Sequence, residues 1–282
     1  MPSALDALPL TCPVCGDELR RRDAALMCSA RHTFDVARHG YVNLATGRSL
    51  VGDTAAMVAE RDGFLDAGHY RPLAERIAEL AVRALPRDGG QLGGSLVVDA
   101  GGGTGYYLAH VLERAPGTTG LVLDSSVAAL RRAARAHPRA AAVGWSVWEP
   151  WPLASGSAGL VLDVFAPRNP GEFHRVLGPE GALLVVTPTP EHLAEVRAVA
   201  RLIGVDEQKP ERLERALGAG FRPEVRDELS FRMRLDAAGV RQVAAMGPSA
   251  HHQGQGDVLL GSGVLEVTAS FVLTVYRPMP VR

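Results

Sequence analysis

The sequence predicts an α/β protein: a Rossmann-like parallel sheet wrapped by helices, with a small cysteine-bearing module in front of it. Three observations carry that reading. From Leu96 onward, short apolar runs alternate with helical periodicity, the pattern of strands joined by crossover helices. The first run, Leu96-Val97-Val98-Asp99, closes on an acid and leads at once into Gly101, Gly102, Gly103 and Gly105, then into a helical segment through Tyr107, Leu108, Val111 and Leu112. Cys12, Cys15 and Cys28 all fall near the N-terminus, with His32 close behind.

At 282 residues the chain has room for one large domain and a small appendage. The sequence divides into a module over 1–46, linker helices over 47–94 and a Rossmann-like domain over 95–282. Its 46% hydrophobic and 22% charged residues are ordinary for a globular enzyme. No apolar run is long enough to span a bilayer, and MPSALDALPL lacks a charged segment and cleavage pattern, so a cytoplasmic location is expected. A net charge of −1 excludes an overall field for polyanions, so any nucleic-acid surface must be local. Lys209 is the sole lysine; the dominance of arginine reads as composition bias, although arginine also suits phosphate contact.

The cysteines and histidine follow the spacing C-x2-C-x12-C-x3-H. Two thiolates on one tight knuckle and two ligands on a second turn can close a tetrahedron around Zn2+. An odd number of cysteines argues against a disulfide framework. Few large apolar residues precede Tyr41, so metal is expected to hold this segment together. Arg20, Arg21, Arg22, Arg31, Arg38 and His39 surround the ligands, but Asp17, Glu18, Asp23 and Asp35 nearly cancel them. A phosphate-contacting face and a solvated ribbon surface fit equally well. Phe34 and Tyr41 fit packing better than base stacking.

Gly47 to Asp53 reads as a linker, and Asp53 or Thr54 can cap a helix from Ala55. A second helix spans about Tyr70 to Leu85, with Leu73, Ile77, Leu80 and Ala84 at helical spacing. FLDAGHYRPL between them places Asp66, His69 and Tyr70 beside a glycine, as a cover over a ligand or as a packing turn. After the glycine turn, Gly120 to Asp124 is a second strand, with Ser125 or Ser126 capping the next helix. Ala141 to Gly144 is a third strand. It leads into Trp145, Trp148 and Trp151, whose rings fit adenine stacking or packing under the sheet. Gly159 to Pro167 is a fourth strand, Gly178 to Gly181 a turn and Ala182 to Thr187 a fifth strand. Phe221 to Leu235 and Val264 to Tyr276 supply the last strands, with a helix from Ala237 to Ala245 between them. His251 and His252 are adjacent, and neighbours on an extended chain point apart, which disfavours joint chemistry.

The glycine turn decides the ligand. Its pattern, Asp99-x-Gly101-x-Gly103-x-Gly105, has the third glycine one place earlier than the dinucleotide fingerprint. It resembles the S-adenosylmethionine loop of class I methyltransferases. Asp124 closes the next strand about 20 residues on, where a ribose-binding carboxylate is expected.

CPVC…C…H with HGYVNL, GDTAAM…FLDAGHYRPL, DAGGGTGYY, and the FAP and TPTPEHL strings occur in that order over most of the chain. Together they resemble the RlmA family of large-subunit rRNA guanine-N1 methyltransferases, and within it the tylosin-resistance branch. The resemblance implies zinc on Cys12, Cys15, Cys28 and His32, and a class I seven-stranded sheet. It implies S-adenosylmethionine contacts from Tyr70, Gly103, Thr104 and His192, beside the Asp99, Gly101, Gly105 and Asp124 of the loop pattern. It further implies methylation of N1 of one guanine, guanine 748, in a 23S rRNA hairpin near the macrolide site, conferring resistance to tylosin-type macrolides. A homodimer whose zinc modules flank an RNA cleft goes with it. Phe165 and Pro167, at the fourth strand's end, are the expected walls of the base pocket; no catalytic base is evident. Against the family pattern, the segment after Gly47 is less basic, and Val147-Trp148-Glu149 replaces small polar residues. A small-molecule methyltransferase and a non-catalytic zinc-ribbon adaptor are the alternative readings; the first has no use for the zinc module, and the second does not need an intact glycine loop.

Overall fold

The computed structural model describes residues 4–45, 50–88, 91–92, 94–200, 217–246 and 263–280. Lys209, His251 and His252, and Gly47 in the expected linker, lie outside the described residues.

After a short 3-10 turn at Ala4–Ala7 the chain forms an antiparallel ribbon of β1 (Arg20–Arg22), β2 (Ala25–Met27) and β3 (Thr33–Asp35), then a short strand β4 (Val42–Asn43). Helix α1 (Ala55–Asp66) starts where the Thr54 hydroxyl accepts the Met57 N–H, which settles the cap between Asp53 and Thr54. Helix α2 (Arg71–Ala84) buries Leu73, Ile77, Leu80 and Ala84 along one stripe, as the spacing predicts. A two-strand hairpin, β5 (Arg87–Asp88) and β6 (Gln91–Leu92), precedes the main sheet.

The alternating part then runs β7 (Leu96–Ala100), α3 (Tyr106–Arg114), β8 (Thr119–Asp124), α4 (Val127–Ala136), β9 (Ala140–Gly144), β10 (Ala158–Val164), α5 (Pro170–Val176), β11 (Leu177–Pro188) and α6 (Ala194–Ala200). It closes with β12 (Phe221–Leu235), α7 (Ala237–Ala245) and β13 (Leu265–Pro278). Side chains of Ser126, Asn169 and Asp236 cap α4, α5 and α7. The expected turn at Gly178–Gly181 is a bulge inside β11, since Ala158 pairs with Leu177 while Leu160 pairs with Ala182.

These strands form one sheet in the order β12-β13-β11-β10-β7-β8-β9-β4. The run from β11 to β4 is parallel, and β13 slots between β11 and β12 antiparallel to both. Seven of the strands make the sheet that the sequence predicts. The eighth is β4, which leaves the ribbon to pair Val42 with Val143 along β9. At the far edge, β12 exposes Arg222, Glu224, Arg226, Glu228, Arg232 and Arg234.

One face of the sheet packs against α2, α3, α4 and α7 through Leu73, Ile77, Leu108, Leu130 and Val240. The opposite face takes α5 and the N-terminal ribbon. Leu10, Leu26 and Phe34 of the ribbon join Val98, Leu121 and Val143 of the sheet in one apolar cluster. The ribbon, too small to fold on its own apolar residues, therefore shares the core of the sheet. Trp145 and Trp151 are buried in that cluster, so adenine stacking by these two gives way to packing; Trp148 is 66% exposed. Phe34 is buried and Tyr41 half-buried, both by packing.

Replacing Leu26 by Ala, which empties a fully buried ribbon position, should lower global stability by about 2–5 kcal/mol. Denaturant unfolding followed by tryptophan fluorescence should show one transition moved to lower denaturant. A separate early transition would mean that the ribbon folds independently.

Candidate cofactor and metal sites

Strand β7 sits between β10 and β8, so the crossovers leave it in opposite directions and open a crevice at its C-terminal end. The register sets Asp99 beside Leu162 and Val122, which brings Asp99, Asp124 and Asp163 to neighbouring strand ends. Gly101, Gly103 and Gly105 all take left-handed φ, at 64°, 57° and 78°, the reason that alternate positions of this loop are glycine. Gly102 is required on different grounds: a Cβ there would collide with the carboxyl group of Asp99.

Asp99 is fully buried, and neither carboxylate oxygen has a hydrogen-bond partner among the described residues. Burial, then the charges of Asp124 and Asp163, push its carboxyl up to about 7. A buried acid with no donor is costly, a cost that a cationic ligand group can offset. Asp124 is engaged differently. Its Oδ2 accepts the Gly103 N–H at 2.9 Å and its Oδ1 the Ser126 N–H at 2.7 Å, so it ties the β8 end to the loop. A carboxylate has about four acceptor positions, which leaves capacity for two hydroxyls. Burial nevertheless keeps its carboxyl above the usual range. Thr104 is buried behind the loop.

Tyr70 and His192, far apart in sequence, meet here, with Tyr70 Oη 3.1 Å from His192 Nε2. The Ser270 N–H donates to His192 Nδ1 at 3.2 Å, so Nδ1 must accept and Nε2 carries the proton. That proton faces Tyr70 Oη, which leaves the Tyr70 O–H to donate to a third group. Burial and then Arg197 hold His192 down to about 3, so the imidazole stays neutral at physiological pH. Phe165 follows β10 with φ 58°, a left-handed strain rare in a non-glycine residue and typical of functional sites. Its ring is 39% exposed and lies 6.4 Å from that of Tyr70 and 6.3 Å from that of Tyr107. Pro167 is exposed beside it, and a Cβ on Gly101 would come within 2.9 Å of the Ala166 side chain. The FAP segment thus touches the glycine loop. Sequence reasoning missed Arg168, held against the buried Asp163 with Nε 3.2 Å from Oδ2, because nothing in the sequence marks that pair.

In the ribbon, one ligand atom from each of Cys12, Cys15, Cys28 and His32 lies within 4.8 Å of all the others. Cys15 and Cys28 sulfurs are 3.6 Å apart; His32 Nδ1 is 3.6 Å from Cys12 Sγ and 3.4 Å from Cys28 Sγ. A tetrahedron with Zn–S bonds of about 2.3 Å requires S···S of roughly 3.8 Å, so the donor set fits zinc. Backbone turns preset it: the Gly16 N–H donates to the Cys12 carbonyl and the Cys28 N–H to that of His32. Around it Arg20 pairs with Glu18 and Arg21 with Asp6, which weakens the case for a continuous phosphate face there.

Residues 10–45 match the zinc-ribbon family model described as "RlmA, N-terminal". Over 276 residues the sequence is 47% identical to the 23S rRNA (guanine(748)-N(1))-methyltransferase of Streptomyces fradiae, covering 96% of this chain and 97% of that protein. A Micromonospora griseorubida protein assigned as a 23S rRNA (guanine-N(1)-)-methyltransferase is 47% identical over 292 residues, with 97% and 99% covered. A Bacillus subtilis protein with the same assignment is 30% identical over 208 residues, 70% of each chain. The chain belongs to this methyltransferase family. It is accordingly an S-adenosylmethionine-dependent enzyme with a zinc ribbon, and the orphaned Asp99 and the four clustered ligands are where its residues fit those two groups. No helix among the described residues is long and apolar enough to cross a membrane.

Two outcomes are expected. Cys28→Ser should lower bound zinc well below about one ion per chain by elemental analysis, and should lower the melting temperature of the whole protein, because the ribbon shares its core. For Asp99, the unfolded chain titrates near about 3.9 and the folded one at about 7, so in that window the folded state holds the extra proton and ligand-free stability falls as pH rises. Asp99→Asn should therefore gain stability over wild type more at pH 8 than at pH 5 in urea unfolding; an equal gain at both would refute the buried charge.

Proposed function

We propose that the protein methylates N1 of one guanine in a hairpin of 23S rRNA, the position equivalent to guanine 748, and so protects the macrolide site in the exit tunnel against tylosin-type drugs. The observation that carries this reading is the 47% identity over 96% of the chain to the Streptomyces fradiae enzyme, whose name specifies guanine 748. A metal ribbon and a cofactor loop retained in one chain support it, since a small substrate needs no ribbon. The family resemblance supports a cytoplasmic homodimer, with the ribbons flanking the RNA.

In this reading S-adenosylmethionine, when bound, supplies an already activated methyl group. Asp99 would hold its ammonium and Asp124 its ribose hydroxyls, Gly101, Gly103 and Gly105 would let the backbone approach it, and Thr104 would contact it from within that loop. Tyr70 donates its O–H to the cofactor, with His192 fixing that direction. N1 lies on the Watson–Crick edge of guanine, so the base must leave its pair or sit in a loop to be reached. Phe165, exposed and strained at the end of β10, and Pro167 form the walls against which the base lies. Rate then comes chiefly from holding nucleophile and methyl carbon in line, where orientation is worth several kcal/mol. His192, held to about 3, is too weakly basic to take the N1 proton, which leaves to water.

Methyl transfer from labelled cofactor to unmethylated 23S rRNA, mapped by primer extension, should give a single stop at a guanine of that hairpin. Tight cofactor binding without transfer to rRNA would instead favour a small-molecule substrate. Phe165→Ala should reduce kcat about 10- to 100-fold on rRNA and leave the cofactor Kd within about twofold.

A further inference from the structure

S-adenosylmethionine carries three charges away from its adenine: a sulfonium, an ammonium and an α-carboxylate. The ends of β7, β8 and β10 offer Asp99, Asp124 and Asp163, which suit the cations and repel the carboxylate. A counter-charge for that anion is needed, and the roles given above to Tyr70, His192 and the loop include no cation.

Among the described residues, Arg168 and Arg61 lie at these strand ends. Both pair with a carboxylate, Arg168 with the fully buried Asp163 and Arg61 with the part-exposed Asp53, so what separates them is position. Arg61 comes from α1 and crosses over the glycine loop, with Nη1 3.6 Å from where a Cβ of Gly103 would stand. It is braced at two points, by an ion pair with Asp53 and by Nη2 donating to the Met246 carbonyl at 3.0 Å. These anchors join the segment before α1 and the end of α7, so the guanidinium is positioned before any ligand arrives, with its side chain only 26% exposed. A guanidinium has five N–H donors in a fixed fork that matches a carboxylate, and the two anchors leave donors for one. Its charge also bears on Asp124, partly offsetting the effect of burial there.

We infer that Arg61 is a cofactor-binding residue, pairing with the α-carboxylate of the methionine moiety. The inference rests on S-adenosylmethionine as the cofactor and is independent of which RNA is methylated.

The decisive comparison uses S-adenosylmethionine and its decarboxylated form, titrated calorimetrically into wild type, Arg61→Gln and Arg61→Lys without RNA. Arg61→Gln should weaken binding of the full cofactor on the order of 10- to 100-fold and of the decarboxylated form less than about threefold, the size of a lost charge-assisted hydrogen bond. Arg61→Lys should recover part of the loss. Because both ligands are measured on one variant, a general loosening of the fold cannot imitate this selectivity. An equal loss for both ligands, or no loss for either, would overturn the inference and reduce Arg61 to a brace between Asp53 and Met246. A carboxylate-selective loss in Arg168→Gln with none in Arg61→Gln would move the role to Arg168. Wild type that binds neither ligand would overturn the cofactor assignment beneath it.

Discussion

A buried carboxylate with no donor among the described residues is the constraint around which this molecule is arranged. Asp99 ends the central strand, and only glycine at 102 leaves room for its side chain. The loop that follows bends back through left-handed glycines, and Asp124 clamps it from the next strand by accepting the Gly103 N–H. Each piece makes the next possible: the strand order puts the acids together, Arg168 answers Asp163, and Asp99 is left without a partner among the described residues. Stability is given up at that point for the sake of a ligand, a common relation between strain and function.

The metal ribbon is tied to this centre through packing. Its apolar residues meet Val98 and Leu121 on the back of the strands whose front ends carry Asp99 and Asp124. β4 then extends the sheet itself by pairing with β9. Zinc binding and the geometry of the cofactor crevice therefore share one slab of core, close-packed and slow to deform. The ribbon supports the sheet as much as it is available to touch a substrate.

Local patterns carried most of the architecture into the sequence. The apolar runs around Val98, Leu121 and Val161 have strand length, the Asp99-to-Gly105 spacing names the turn, and the four zinc ligands lie within one short segment. What stayed hidden depends on long-range pairing. Val42–Asn43 is too short to stand out as a strand and becomes one only because β9 offers an open edge. Trp145 and Trp151 looked equally suited to a ligand or a core, and only the packing of the ribbon over them decides for the core. The hydrogen bond between Tyr70 and His192 spans 122 positions, and the orientation of its proton depends on a third residue, Ser270. Family resemblance supplied the pair; the residues alone did not.

The two margins of the sheet are finished in opposite ways. On one side β4 caps β9 with only two residues. On the other, β12 is long but carries arginines and glutamates along its outward positions. A strand edge studded with like and unlike charges at close spacing is a poor template for another chain, because desolvating them costs more than new ladder hydrogen bonds return. Neither margin invites the sheet to continue into a second molecule. Contact between copies through helices, ribbons or loops is thereby favoured over continuation of the sheet.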